Sequence, residues 1–481
     1  MGSRREEGSE VVRVKESGLF KGESWELVGL EREAWALKRC PWERVRKYLE
    51  KKTRRGAPGR DREKMWGLYV VGAVRGKLGF SESYALLREP GVALLVGYGP
   101  GQAVPHLRTY QRFVQKIAKN VEAMNELFRA LAEVMEEFDE VFGEGTSGDA
   151  TVLRVIRPKG KAKRREESRK RAERRKRNSG TLVEGLRRKK RATKGEMRRR
   201  EREKNWMAAS DGTKTCDDGR TYSWYGIKAL GMCESRTGMP LWVGFEEARE
   251  HETKGTAEML AGVRFLEQRK YGMFDMAWDG EATYRLLLEE GMVAVIPIKH
   301  EPNRLKPASP LTVPAETVYD RERPNRVFNH VDKQYYEAVF AGSDWVHERV
   351  KYRCPCGRLR KAGALGREDL CPFFGAKCKA KFGKTPYSWW IPLKTNYRYY
   401  SYVPRETKKW RKQYSGRTSI EREFGHIDEN WHFNDKQKEV RRTDSIAGLF
   451  LQGVLGLALL KLWKAEEAGS ARRKTRQQAV G

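Results

Sequence analysis

Between Arg154 and Lys204 the chain carries 25 Lys and Arg against 7 Glu. A run of that charge density cannot bury a core, and it is helical at most when solvated or bound to phosphate. Any globular structure must therefore be assembled from the segments on either side, with the run as an insert. Its surplus of 18 positive charges (25 − 7) is more than half of the formal +33 over 481 residues. So basic a balance implies a polyanionic partner, either nucleic acid or an anionic membrane surface. The run itself reads either as a solvated spacer or as a clamp on the DNA backbone that ignores base sequence. No amphipathic segment of useful length accompanies it, which weighs against a membrane partner.

The flanking segments are ordinary enough to fold, since 39% of all residues are hydrophobic. The start, MGSRREEGSE, has no apolar core of the signal-peptide kind, and Glu6 stands where a myristoylation signal needs Ser or Thr. The most apolar run, Ile446 to Leu460, is shorter than the roughly 20 residues of a membrane span and is interrupted by Gln452, so it reads as a buried helix. Seven cysteines, an odd number, fit a reducing cytoplasm better than a disulfide framework.

Before the basic run the pattern is helical. A short amphipathic piece lies at WERVRKYLEKK, and two helices are predicted in MWGLYVVGAVRGKLGF and SESYALLREP, joined at Gly79 with Ser81 as N-cap. A long helix is predicted from Leu107 to Phe138, where Val114, Ile117, Val121, Leu127, Leu131 and Phe138 recur at helical spacing. These helices suit a small N-terminal domain that binds DNA or serves as scaffold. A β-prone run, GTSGDATVLRV, then carries Asp149.

After the basic run, SWYGIKALGMCE and MPLWVGFEEA read as a hairpin turning at Arg236-Thr237-Gly238. Helical spacing over Thr253 to Lys270, a strand at YGMFD, a helix at GEATYRLLLEEG closed by Gly291 and an apolar strand at MVAVIPI follow. That order predicts an α/β fold with a mixed sheet carrying packed helices and a site at the strand ends. From about Lys299 to Arg405 aromatic and charged strands form a β-rich insertion, after which helices resume. The expected division is a helical N-terminal domain at 1–140, the first part of the core at 141–298 with the basic insert 154–204, the insertion at 299–405, C-terminal core helices at 406–465 and a basic tail at 466–481.

Asp149 lies on the first strand of the mixed domain, Asp275 at the C-terminal end of YGMFD, and Glu421 on the helix after the insertion. Three carboxylates in such places suit hard cations such as magnesium, which take oxygen ligands and keep positions for water and phosphate. Two ions held this way serve phosphodiester cleavage and transfer. In YSGRTSIEREFGHID the offsets of Tyr414, Arg417 and Glu421 place them on one helix face, which is also what a surface salt-bridge cluster looks like. Asp211, in SDGTKTC, is the alternative to Asp149, although TCDDG after it reads as a turn whereas TVLRV continues as a strand.

GDAT at Asp149, YGIKALGMCESRTGMPLWVGFEEAREHE, FDMAWDGEATYRLLLEEGMVAVIPI, and the ordered set Tyr414, Arg417 and Glu421 resemble the DDE transposases of bacterial and archaeal insertion sequences, with their Tyr-x2-Arg-x3-Glu signature. The resemblance implies an RNase H-like core. It also implies Asp149, Asp275 and Glu421 as ligands of Mg2+ or Mn2+, two ions together, with Trp278 and Asp279 following in the motif and Tyr414 and Arg417 beside the DNA end. The implied partners are double-stranded DNA, as terminal inverted repeats and target, and a second copy of the chain; the implied setting is the nucleoid of a prokaryotic cytoplasm. Glu252 replaces the family's aspartate, and Asp428 replaces the lysine seven residues after the glutamate. A carboxylate cannot contact phosphate as lysine does, so that contact passes to Lys436 or the basic insert, or this copy is weakened. A descendant that binds nucleic acid without cutting it is therefore the alternative reading.

Two features of the insertion stand apart. Cys354, Cys356, Cys371 and Cys378 could hold a structural zinc, although their spacing is not the usual knuckle, and four reduced thiols in a loop-rich segment are the alternative. Tyr387, Trp389, Trp390, Tyr397, Tyr399 and Tyr400, interleaved with Lys394 and Arg398, could stack on unpaired bases or pack across strands. His251 and His426 lie near the supposed site but read as hydrogen-bonded structural residues.

Overall fold

The computed structural model describes residues 12–14, 25–27, 29–50, 61–157, 207, 209–215, 221–299, 326–366, 369–378, 385–405 and 407–480, so nearly all of the basic run lies outside the described residues. The chain begins with β1 (Val12–Val14), β2 (Trp25–Leu27) and seven helices: α1 (Glu31–Arg39), α2 (Trp42–Leu49), α3 (Arg62–Val74), α4 (Phe80–Ala85), α5 (Pro90–Leu95), α6 (Leu107–Ala118) and α7 (Val121–Glu136). Next come β3 (Gly145–Arg154), β4 (Ser210–Thr215), β5 (Thr221–Glu234), β6 (Pro240–Glu247), α8 (Thr256–Gly262), β7 (Tyr271–Met273), α9 (Glu281–Glu289) and β8 (Val293–Val295). The insertion holds β9 (Arg326–Phe328), β10 (Tyr335–Glu337), β11 (Val339–Asp344), β12 (Arg349–Arg353), α10 (Cys356–Lys361) and β13 (Ser388–Pro392). The chain closes with α11 (Lys408–Tyr414), α12 (Thr418–Trp431), α13 (Phe433–Gln437) and α14 (Thr443–Val480).

Two compact units result, one from Met1–Gly143, Gly148–Glu267 and Thr418–Gly481, the other from Glu144–Ser147 and Gln268–Arg417. In the first unit α14 is the central element. Leu449, Leu451, Val454, Leu455, Leu457 and Leu459 are all buried, so no side of this stretch faces water. A helix apolar all round has to be covered on every side, and α3, α6, α7, α12 and β6 cover it. Gln452, the polar interruption, is fully buried and donates to the Tyr69 carbonyl at 2.9 Å, while the Tyr69 hydroxyl donates to the Gly448 carbonyl at 2.8 Å. Gly448 is there because α6 comes close: a Cβ would lie 2.7 Å from the Val114 carbonyl oxygen. The helical stretch Thr443–Ser470, longer than the apolar run itself, is long and apolar enough to cross a membrane, but 89% of its most apolar window is buried, as a core helix requires.

Three local expectations differ from the structure. The helix predicted over Leu107 to Phe138 is two helices, because α6 stops at Ala118 and Asn120 turns its amide back onto the Lys116 carbonyl at 2.7 Å, satisfying one of the terminal acceptors. Helix α4 starts from Gly79, so Ser81 is a helical residue and not the N-cap. The segment from Thr253 holds only a short 3-10 turn and α8, ending by Gly262.

The sheet runs β4-β5-β3-β7-β8, with β6 also on β5. Strands β5 and β6 form the expected antiparallel hairpin. Glu234 closes it by accepting from the Arg236 and Thr237 N–H groups at 3.0 and 2.6 Å, and Gly238 takes the left-handed φ of +70° that the turn needs. In the second unit, Gly145–Ser147 of β3 pairs in parallel with β7, and β7 in parallel with β8. The insertion is β-rich as expected, with a β9–β10 hairpin and an antiparallel β11-β12-β13 sheet. Val350, Tyr352 and Ile391 of that sheet share a core with Tyr271, Met273, Val293 and Val295 of β7 and β8. The molecule is thus α/β, a mixed sheet flanked by helices with a helical N-terminal region.

Gly448→Ala is expected to destabilise the first unit by about 1–3 kcal/mol, since the Val114 carbonyl as well as its branched side chain opposes the new methyl. A melting temperature within a degree of wild type would show that α14 and α6 can separate without cost.

Candidate active site

Two of the three sequence-predicted carboxylates sit on regular elements, and Asp275, expected at the end of a strand, lies two residues past it. Asp149 is half-buried in the middle of β3, and its carboxylate accepts from the Ala150 N–H at 2.8 Å. In the second unit Asp275 follows β7 and caps a 3-10 turn at Met276–Trp278, accepting from the Ala277 N–H at 2.7 Å. Ser147 and Met273 are partners in the parallel ladder; Asp149 and Asp275 each come two residues after one of those partners. Each aspartate therefore stands just past the paired stretch, Asp149 still within β3 and Asp275 beyond the end of β7.

Glu421 lies in the first turn of α12 and is exposed. Its orientation follows from the opposite face, where Ile420, Glu423 and Ile427 are buried. A Cβ on Gly231 of β5 would meet Phe424 at 3.0 Å, so this helix lies directly on the strand. Burial pushes the Glu423 carboxyl up, with Lys461 at 2.8 Å as its counter-ion. Tyr414 and Arg417 do not share a regular helix with Glu421: α11 ends at Tyr414, and Ser415–Arg417 is a 3-10 turn before α12 begins. Within the second unit the Arg417 guanidinium lies 5.6 Å from the Tyr414 ring centroid, and Trp410 stacks on Tyr414 at 4.7 Å and 14°. The Ser147 hydroxyl donates to the Arg417 carbonyl at 2.8 Å, tying that turn to the start of β3. Trp410 escaped the sequence reading, although its i, i+4 spacing to Tyr414 on a helix was the available signal.

The neighbouring acidic groups have other work. Asp279, with no exposed side-chain area, forms an ion pair with Arg398 at 2.6 Å. It also accepts from the Tyr284 hydroxyl at 3.0 Å and the Lys299 N–H at 2.7 Å. Burial raises its pKa, but the Arg398 guanidinium and these other donors outweigh burial and hold it below the usual carboxylate range. Asp279 therefore anchors the insertion, and Asp275 is the ligand candidate of the pair. Asp211 is on β4, the strand beyond β5, and is ion-paired with Arg157. Asp428 is half-buried, its pKa raised by burial against hydrogen bonds from Asn434 that pull it down. It stabilises the bend at His432, whose left-handed φ of +51° separates α12 from α13. Lys436, one of the substitutes considered for the missing lysine, is ion-paired with Glu82. A groove of about 820 Å3 in the first unit is lined by Ala150 to Arg154 of β3, by Val155 and Ile156 after it, and by Phe424, Asp428 and Asn434 among others.

Most of the aromatic strip is packing. Tyr400 is 2% exposed, Tyr387 and Trp389 pack tilted against Phe374, and Tyr397 lies against Arg285. Trp390 is 39% exposed, with Arg349 and Lys351 over its ring. His251 accepts from the Thr253 N–H and caps the 3-10 turn after β6, a structural role. The four cysteines of the insertion come together and are buried.

These elements define the class of protein, an RNase H-like α/β domain with carboxylates on its central strands and on a C-terminal helix. Residues 149–338 match the family model described as the transposase DDE domain, and the chain carries a DDE transposase domain over that segment. The match opens on Asp149 and includes Asp275; Glu421 lies beyond it. No curated protein matches the chain.

Arg398→Ala leaves Asp279 buried without its cation and is expected to cost the second unit about 3 kcal/mol at neutral pH. A depressed carboxylate stabilises above its unfolded pKa and loses that contribution as pH falls through the folded value. The deficit of the variant should therefore shrink below about pH 4. Urea unfolding at neutral and acid pH checks this, and a deficit unchanged by pH would remove the ion pair as its cause.

Proposed function

We propose that the protein is the transposase of an insertion sequence, cutting DNA at the ends of its element and joining the freed ends to a target. The observation that carries this reading is the transposase DDE match that opens on Asp149 and spans Asp275, each two residues after one of the ladder partners Ser147 and Met273. The donor set, two aspartates and a glutamate, fits hard divalent cations in type. Asp149, Asp275 and Glu421 would hold Mg2+ or Mn2+, as the pair of ions that phosphodiester chemistry uses. Ions of this kind lower the pKa of a bound water and neutralise charge on phosphate oxygens.

The chain's own residues supply positioning and charge. In this reading water cuts one strand and the freed 3′ hydroxyl attacks a second phosphodiester. The Arg417 guanidinium, oriented by the Tyr414–Trp410 stack, faces the developing negative charge on the transferring phosphate. The basic run, outside the described residues, adds a sequence-independent grip on the DNA backbone, and two copies of the chain bring two ends together. One observation favours a second reading, a descendant that binds without cutting: the position of the family's lysine holds Asp428, bound to Asn434, and Lys436 is taken by Glu82.

Asp275→Ala and Glu421→Gln are each expected to lower magnesium-dependent nicking of a duplex carrying the element's own ends by at least about 1,000-fold, a transition-state loss near 4 kcal/mol. Binding of the same duplex, read by mobility shift, should stay within a few-fold. Parallel loss of binding and nicking would count against catalytic roles, and wild type that binds tightly without nicking in magnesium or manganese would establish the second reading.

A further inference from the structure

We infer that Cys354, Cys356, Cys371 and Cys378 form a structural zinc site that closes the inserted module onto itself. The four sulfurs are buried and all lie within 4.8 Å of one another. The Cys354–Cys371 and Cys356–Cys378 sulfur separations are 3.4 and 3.2 Å. A tetrahedral ion with Zn–S bonds of about 2.3 Å needs its sulfurs about 3.8 Å apart, a small expansion of this cluster.

The backbone around the sulfurs gives a second, independent indication. The Phe374 N–H donates to the Cys371 sulfur at 3.4 Å and the Tyr387 N–H to the Cys378 sulfur at 3.5 Å. Backbone donors aimed at sulfur stabilise the thiolate form, the form that binds metal, and fix the ligands in place. Two stretches of chain, 354–356 and 371–378, deliver the ligands. Cys354 leaves β12 with its N–H on the Tyr387 carbonyl, Cys356 starts α10, and Cys371 and Gly375 form an isolated bridge just before Cys378. Arg360 binds the Gly366 and Asp369 carbonyls and so holds the loop between the two ligand pairs.

The module also needs such a staple. Apart from the four cysteines, the buried cluster around them contains, among the described residues, Val327, Phe373 and Phe374, with partly buried side chains such as Leu359 and Trp389 around them. A core that small rarely stabilises a segment unaided, and soft thiolate donors select zinc among common divalent ions. Cys40 and Cys233, also buried, have no such company among the described residues. The site has a consequence beyond its own loops. Strand β12 runs from Val350 and Tyr352, which pack on β7 and β8, directly into Cys354. Zinc therefore fixes the end of the sheet that backs the strand leading to Asp275. This inference stands whether or not the protein cuts DNA.

The test is made on the full chain, purified without added metal. Elemental analysis should give about one zinc per chain, and four thiols should become reactive in step with zinc release by a mercurial. Cys356→Ser and Cys371→Ser should each lower the zinc content at least about tenfold, whereas Cys40→Ala should retain it. Should the serine variants fail to fold, cobalt exchange into the wild type decides, because a tetrathiolate site gives the intense visible bands of tetrahedral cobalt. Folded wild-type protein free of zinc, a mass showing two disulfides among these cysteines, or iron in place of zinc would each overturn the assignment.

Discussion

A long helix with no polar side has to be surrounded, and the first unit is arranged around that requirement. The buried stretch of α14 cannot face water anywhere, so α3, α6 and α7, from the start of the chain, and α12, from its end, are drawn to one axis with β6. Close approach is possible because Gly448 and Gly456 stand where α6 and α3 cross, the latter with a would-be Cβ 2.5 Å from the Ala73 carbonyl oxygen. The burial of Ile420, Glu423 and Ile427 then fixes α12 in rotation, and that rotation leaves Glu421 exposed. The exposure of the third candidate carboxylate is thus a by-product of hydrophobic packing on the far side of its helix.

In the second unit a charge pair does comparable work. Asp279 is held ionised without water because Arg398 of the insertion, the Tyr284 hydroxyl and the Lys299 N–H all donate to it. Removing any of these partners leaves an expensive buried charge, so the pair specifies where the insertion docks more than it adds net stability. Two aspartates four residues apart have therefore diverged in role. Asp275 caps a turn at the end of β7, and Asp279 locks the module behind it.

Much of this was legible in the chain itself. The strands of β5, β6, β7 and β8 follow from alternation and apolar runs, and the hairpin at Arg236–Gly238 from its turn residues. Apolar spacing that continues through Lys119–Asn120 predicts one helix where α6 and α7 are two, because the break is made by the Asn120 backbone and side chain and not by any change in the apolar pattern. The helical face drawn through Tyr414, Arg417 and Glu421 fails for a related reason: spacing alone does not show a 3-10 turn. The aromatic strip offered two readings, and only the packed structure distinguishes Tyr400, which is core, from Trp390, which is not.

Sequence alone determined the candidate carboxylates, the four cysteines, the apolar C-terminal helix and the basic run, because residue type and local periodicity are properties of neighbours along the chain. Tertiary structure decided which aspartate is consumed by an arginine, that Lys436 is already paired, and that cysteines up to 24 positions apart (378 − 354) share one buried point. Those outcomes depend on which distant groups desolvate one another, and no periodicity in the chain records that.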